Sequence, residues 1–177
     1  QSFYGIGEDI DKYMAASYVL ELTEKVIPEE IPQPGIFKLL MEFIVELEKR
    51  KAHHLTLELA YEIKLLRLLG TFPELNRCTT CGDSKNPEFF SVENGGIMCL
   101  NCHEKIKSEA IESLIFPINF DIVKVLNYFT SNSLSTFKKI ALEDRTANYL
   151  QKIIRSYISY HLDIKKLKSE SVMDIEV

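Results

Sequence analysis

The chain of 177 residues is 46% hydrophobic and 27% charged, the balance of an ordinary soluble globular protein with a core of its own, and its length fits one domain. Its net charge of −5 argues against indiscriminate nucleic-acid binding. No apolar run approaches the ~18 residues of a membrane-spanning helix, and Gln1-Ser2-Phe3-Tyr4-Gly5 lacks the basic and apolar regions of a secretory signal, so a cytoplasmic protein is expected.

The first residue is Gln rather than Met, which points to a native start further upstream. Residues 9 to 27 read as a helix, with Asp9 as its cap and Ile10, Tyr13, Met14, Tyr18 and Leu22 at helical spacing. The run Pro28-Glu29-Glu30-Ile31-Pro32-Gln33-Pro34-Gly35 is a breaker, because each Pro lacks a donor and restricts the residue before it. A second helix follows with Phe37, Leu40, Met41, Ile44, Val45 and Leu47 on its apolar side. A third, about 54 to 69, carries Leu55, Leu59, Ile63, Leu66 and Leu69 and stops at Gly70, the residue best able to take a left-handed cap.

From about 71 to 104 the helical period vanishes, and all four cysteines fall there. Helices are expected again over about 105–115, over about 120–130 after Asn119, and over about 143–162. In the last, Ala147, Leu150, Ile154, Tyr157, Ile158 and His161 recur at three- and four-residue steps. The expected architecture is mainly α: a helical bundle built from 1–70 and 105–177, interrupted by an insert at 71–104.

Cys78 and Cys81 are two residues apart, as are Cys99 and Cys102, with seventeen residues between the pairs. This matches the C-x2-C-x15–20-C-x2-C spacing of zinc sites. Each pair can aim two sulfurs at one ion from a single tight turn, and two turns complete a tetrahedral shell of thiolates. Gly82 after the first pair is free to adopt positive φ. Phe89, Phe90, Ser91 and Val92, then Asn94-Gly95-Gly96, then Ile97 and Met98, read as a hairpin leading into Cys99. A zinc ribbon with one structural Zn²⁺ is expected. A disulfide framework belongs to small secreted chains, and a redox pair would be single and near a βαβ pattern; an iron–sulfur centre on four Cys is the remaining alternative. Four thiolates leave no open position for water or substrate.

Nothing else in the sequence announces chemistry. No Walker loop, H-E-x-x-H or G-x-S-x-G is present, so a binding module is expected rather than an enzyme. His103 follows Cys102 too closely to share its ion. His53 and His54 point to different sides of any helix, and His161 belongs to an apolar stripe as a packed, hydrogen-bonded histidine. Most Tyr and Phe residues sit at core spacing, where burial is expected rather than base stacking. Charge is uneven: residues 1–34 have seven acidic and two basic side chains, whereas 145–168 have six basic and one acidic. Lys152, Arg155, Lys165, Lys166 and Lys168 are therefore expected to meet an anionic partner; the plainer reading is a solvated helix face.

The segment Tyr61-Glu62-Ile63-Lys64-Leu65-Leu66-Arg67-Leu68-Leu69-Gly70-Thr71-Phe72-Pro73-Glu74-Leu75, running into Cys78-Thr79-Thr80-Cys81-Gly82, resembles the bacterial recombination mediator family RecO. Phe90-Ser91, Gly95-Gly96-Ile97-Met98-Cys99, Cys102 and the tail His161-Leu162 with Leu167-Lys168-Ser169 are similar to the same family. The resemblance implies a DNA-repair role: binding single- and double-stranded DNA, annealing strands, acting with RecR, contacting the C-terminal tail of single-strand-binding protein, and helping to load recombinase. It also implies an N-terminal OB-fold before the helical, zinc-bearing domain. No β-rich stretch precedes residue 9, so that OB-fold is expected to lie outside this chain, and a bacterial, nucleoid-associated location is expected. The alternative is a structural domain that contacts RecR or single-strand-binding protein without touching DNA.

Overall fold

The computed structural model describes residues 3–28, 30–84, 87–106, 114–139, 141–164 and 167–173. Its helices are α1 (Tyr4–Glu8), α2 (Ile10–Val26), α3 (Pro34–Lys49), α4 (His54–Leu68), α5 (Leu100–His103), α6 (Phe120–Ser131), α7 (Asp144–His161) and α8 (Lys168–Met173), with a 3-10 turn at Leu134–Lys139. Strands β1 (Phe89–Ser91), β2 (Gly96–Met98) and β3 (Ile115–Pro117) form one antiparallel sheet in the order β2-β1-β3. The fold is the expected one, mainly helical with a small four-cysteine ribbon.

Local signals set the helix ends. Asp9 accepts from the N–H groups of Asp11 and Lys12 at 3.1 and 3.2 Å and caps α2, and Asn119 accepts from Ile122 N at 3.0 Å to start α6. At the end of α4, Gly70 takes φ +74. Its N–H reaches Arg67 O at 3.2 Å while Thr71 N reaches Leu66 O at 3.0 Å, the paired bonds of a Schellman motif.

Helix α4 is the hub, packed against α2, α3, α6 and α7. It is buried almost all round, from Thr56 to Leu66, including Glu58 and Glu62. The outer helices bury one stripe each, and in two of them it only partly overlaps the expected one. In α3 the inward residues are Ile36, Leu39, Phe43, Glu46 and Leu47, and Phe37 and Met41 point to solvent. In α2, Ala15, Ala16, Tyr18, Val19 and Leu22 face inward, and Ile10 and Tyr13 are exposed. In α2 the polar residues do not mark a single stripe, and in both helices contact with α4 selects the buried face. In α7 the stripe Ala147, Leu150, Ile154, Tyr157 and Ile158 is buried as expected.

The hairpin forms where expected, with Phe90 opposite Ile97 and Ser91 opposite Gly96. A third strand was not anticipated. The helix expected over about 105–115 falls largely on residues 107–113, outside the described residues, and its end instead enters β3, which pairs with β1. Ile115-Phe116-Pro117 is too short to show an alternation, and only its neighbour makes it a strand.

Candidate metal centre and partner groove

Local backbone geometry builds the cysteine site. Gly82 takes φ +78 and its N–H donates to Cys78 O at 2.8 Å, closing the first knuckle. The second knuckle follows β2: Cys99 precedes α5, and Cys102 N donates to Cys99 O at 3.1 Å. The knuckles are tied together by Thr79 N, which donates to Ile97 O at 2.9 Å. The Sγ atoms of Cys78, Cys81, Cys99 and Cys102 all lie within 4.8 Å of one another, with Cys81 and Cys99 3.7 Å apart. That is far from the ~2.05 Å of a disulfide and close to the separation of about 3.8 Å that a tetrahedral shell with ~2.3 Å metal–sulfur bonds requires.

Electrostatics agree with a cation site. Burial pushes the Cys78 thiol up, but the N–H groups of Cys81, Cys99 and Thr80 outweigh it and bring it down to about 6. Burial and the neighbouring sulfurs of Cys99, Cys81 and Cys78 push Cys102 up to about 12. Four such sulfurs cannot all ionise together unless a cation joins them. The residues fit a tetrahedral thiolate metal site. Cys78, Met98, Cys99 and Cys102 form a small core of their own with Phe89 and Ile106 against it. His103 does not face the sulfurs as a ligand; its ring stacks on Phe89 at 3.9 Å.

The ribbon is fastened to α7 through two residues and to the connector after α4 at a third point. Tyr157 OH donates to Thr71 O at 2.9 Å, and its ring meets Phe90 edge-on at 5.7 Å. His161 Nε2 donates to Val92 O at 2.7 Å, so it is the packed, hydrogen-bonded histidine expected. The third point is Gly96, flanked by Glu74 N donating to Gly95 O and Ile97 N donating to Glu74 O, both at 2.9 Å. A Cβ on Gly96 would stand 2.8 Å from Glu74 N and closer still to Glu74 O, and backbone cannot swing aside as a side chain can. Gly96→Ala is expected to cost roughly 3 kcal/mol and to weaken metal binding, measured by urea unfolding and by chelator competition.

Asp9, Asp11 and His54 form the other group of potential ligands among the described residues. They crowd the N-termini of α2 and α4, whose backbone N–H groups disfavour a cation; burial lowers the His54 pKa, with Asp9 and Asp11 raising it and Lys12 and Arg50 lowering it. His53 takes φ +56 ahead of α4, with Nδ1 3.7 Å from Asp144 Oδ1, so the two adjacent histidines do not form a metal pair.

Of the five basic residues expected to meet an anion, the three described ones lie in different surroundings. Lys152 is exposed on α7, and Lys168 is exposed beside α2, where its N–H and those of Ser169 are held by Glu21 at 3.0 and 2.9 Å. Lys165 and Lys166 lie outside the described residues. Arg155 turns inward. Its guanidinium covers the Tyr18 ring at 4.2 Å and sits 3.5 Å from Glu58, 3.9 Å from Glu62 and 3.5 Å from Glu170. Position 155 follows the buried Ile154 on α7 and faces the carboxylates of α4, which sequence spacing could not reveal.

Sequence reasoning missed a groove of about 890 Å³ between α6 and α7, a volume typical of ligand sites. Pro117, Ile118, Ile122 and Val125 give it an apolar wall; its charged lining residues are Arg145, Lys152 and Asp121, the last paired with Lys124 at 3.3 Å. Tyr149, also lining it, donates its hydroxyl to Pro117 O at 2.7 Å. The basic segment was visible in the sequence, but the apolar half comes from residues some thirty positions earlier in the chain.

The family model described as recombination protein O C terminal matches residues 7–171. The chain belongs to this RecO C-terminal family. It is 32% identical over 162 residues to the DNA repair protein RecO of Alkaliphilus metalliredigens, covering 91% of this chain and 63% of that protein. It is 25% identical to that of a Thermoanaerobacter species, covering 97% of this chain and 66% of that protein, and 30% identical to that of Dehalococcoides mccartyi, covering 92% and 62%. The chain thus spans just under two thirds of the length of these relatives. Within the family's matched span lie the ribbon, the groove and the Arg155 cluster alike. No described helix is long and apolar enough to cross a membrane.

Proposed function

We propose that this chain is the zinc-stabilised, partner-binding part of a DNA-repair mediator, and that the groove between α6 and α7 receives the acidic, apolar-ended C-terminal tail of single-strand-binding protein. The single observation behind this is the pairing of an apolar wall with two exposed cations at its rim. A tail of that kind has the matching parts: apolar side chains for the wall, carboxylates for Arg145 and Lys152. Zn²⁺ is the proposed ion of the four thiolates, as a structural metal with no open position for chemistry. In the longer protein this domain follows an OB-fold, binds single- and double-stranded DNA, anneals strands, acts with RecR and helps load recombinase. Lys152, Lys165, Lys166 and Lys168 are the proposed phosphate contacts, and Arg155 is left out because its charge is spent inside.

The test is fluorescence anisotropy with a labelled acidic peptide ending in an aromatic residue and a free carboxylate. Arg145→Glu/Lys152→Glu is expected to weaken binding by roughly tenfold or more at low salt with an unchanged circular dichroism spectrum. Equal affinity for the variant would remove the groove from consideration. DNA contact by this part alone is judged separately: a steep log–log salt dependence of single-stranded DNA binding marks phosphate contacts, and no binding at all favours the purely protein-interacting alternative.

A further inference from the structure

We propose that the ribbon's metal controls the shape of the groove, with residues Glu88 and Phe89 as the connection; this rests on the groove being the partner site proposed above. The covalent path from Cys102 to the groove is long, but the spatial path is two hydrogen-bonded strands wide. Phe89 packs its ring against the cysteine core and on His103. Its backbone stands opposite Met98, next to Cys99, on one side and opposite Pro117 on the other. Glu88 repeats the pattern: its N–H donates to Met98 O at 3.2 Å, and its carbonyl accepts from Ile118 N at 2.8 Å. Pro117 and Ile118 are two of the residues that wall the groove. β3 is an edge strand whose sheet partner is β1.

Metal loss unfolds the two knuckles, whose ordering the metal alone offsets, while Phe90, Val92 and Ile97 stay anchored in the main core. Glu88 and Phe89 then lose Met98, the partner that aligns them, and the end of β3 that pairs with them loses its part of the ladder. A strand of three residues does not hold its course without a partner. The Tyr149 bond to Pro117 O and the burial of Phe116 retain the segment near the body, so the wall loosens but the helices stay. The coupling is reciprocal by linkage: whatever factor the metal adds to peptide affinity, the peptide adds to metal affinity.

Amide exchange of Ile118 and anisotropy of the acidic peptide are measured on the full chain with zinc bound and after chelation, with circular dichroism alongside. Stripping is expected to speed Ile118 exchange and to weaken the peptide roughly tenfold, the ordinary size of a coupling between two sites, with recovery on adding zinc. The reciprocal measurement stays on the folded, loaded protein: saturating peptide should raise zinc affinity in chelator competition by the same factor. Zinc affinity identical with and without bound peptide, or Ile118 exchange unmoved by stripping, overturns the proposal. Absence of peptide binding by the zinc-loaded chain would instead sink the groove assignment, and Ile118 exchange would then decide the metal–wall connection alone.

Discussion

A Cys78→Ser/Cys99→Ser variant is expected to lose its metal completely and yet keep most of its helical circular dichroism. The four thiolates hold the ribbon with on the order of 10 kcal/mol of binding free energy, so removing one ligand from each knuckle leaves 78–102 without its organising ion. The helices draw on another source. The main core runs through α2, α3, α4, α6 and α7 around Phe43, Leu57, Tyr61, Leu126, Leu150 and Ile154, whereas the cysteine core is a separate small cluster. The two are not wholly independent, because Phe90, Val92 and Ile97 of the ribbon belong to the main core. Thermal unfolding of the variant should therefore shift down while the low-temperature helical signal persists. Metal content by plasma emission and far-ultraviolet dichroism check both halves, and global unfolding would show that the ribbon organises the entire domain.

The second large effect concerns Arg155. Glu58 and Glu62 are 6% and 1% exposed. Burial pushes both carboxyls up to about 7, with Arg155 pulling each back down, and Tyr18 donates its hydroxyl to Glu62. Glu62 Oε2 and Arg155 Nε are buried without a hydrogen-bond partner among the described residues. Arg155→Ala leaves two buried carboxylates with no cation, and a broken buried pair costs about 3–5 kcal/mol. The loss should be largest at pH 8 and shrink toward pH 5, where both carboxyls remain protonated.

The same shifts fix the pH dependence of the unaltered chain. An acid whose folded value is raised binds its proton more tightly in the folded state, so stability falls as pH rises from about 4.5 to about 7 and then levels. Each raised carboxyl contributes on the order of 3 kcal/mol across that window. Glu58→Gln and Glu62→Gln should each flatten the urea-midpoint profile between pH 5 and 8. A profile that rises through this range in the unaltered chain would contradict the protonated state argued for the pair.

Within the core, Glu58 and Glu62 show why spacing alone misleads. Both lie on the helix whose apolar positions Leu59, Ile63 and Leu66 have helical spacing, and that spacing carries no sign that the carboxylates between them are buried too. They are inside, because α4 is surrounded by four other helices and has no free face. Arg155 was read as a surface cation for the same reason: a sequence reports the charge of a side chain and not the partner that neutralises it. The exposed Phe37 and Met41 are the converse, apolar residues left outside because α4 approaches α3 from the side of Leu39 and Phe43.

The sequence by itself determined what local chemistry controls. The cysteine spacing, Gly82 and Asn94-Gly95-Gly96 specify two knuckles and a hairpin, and Asp9, Asn119 and Gly70 specify helix ends, because each acts through its own backbone within a few residues. Tertiary structure alone decided the third strand, the groove wall it carries toward Arg145 and Lys152, and the buried cluster around Arg155. Each of these joins residues far apart in the chain, and its free energy exists only once packing has brought them together and removed the water between them.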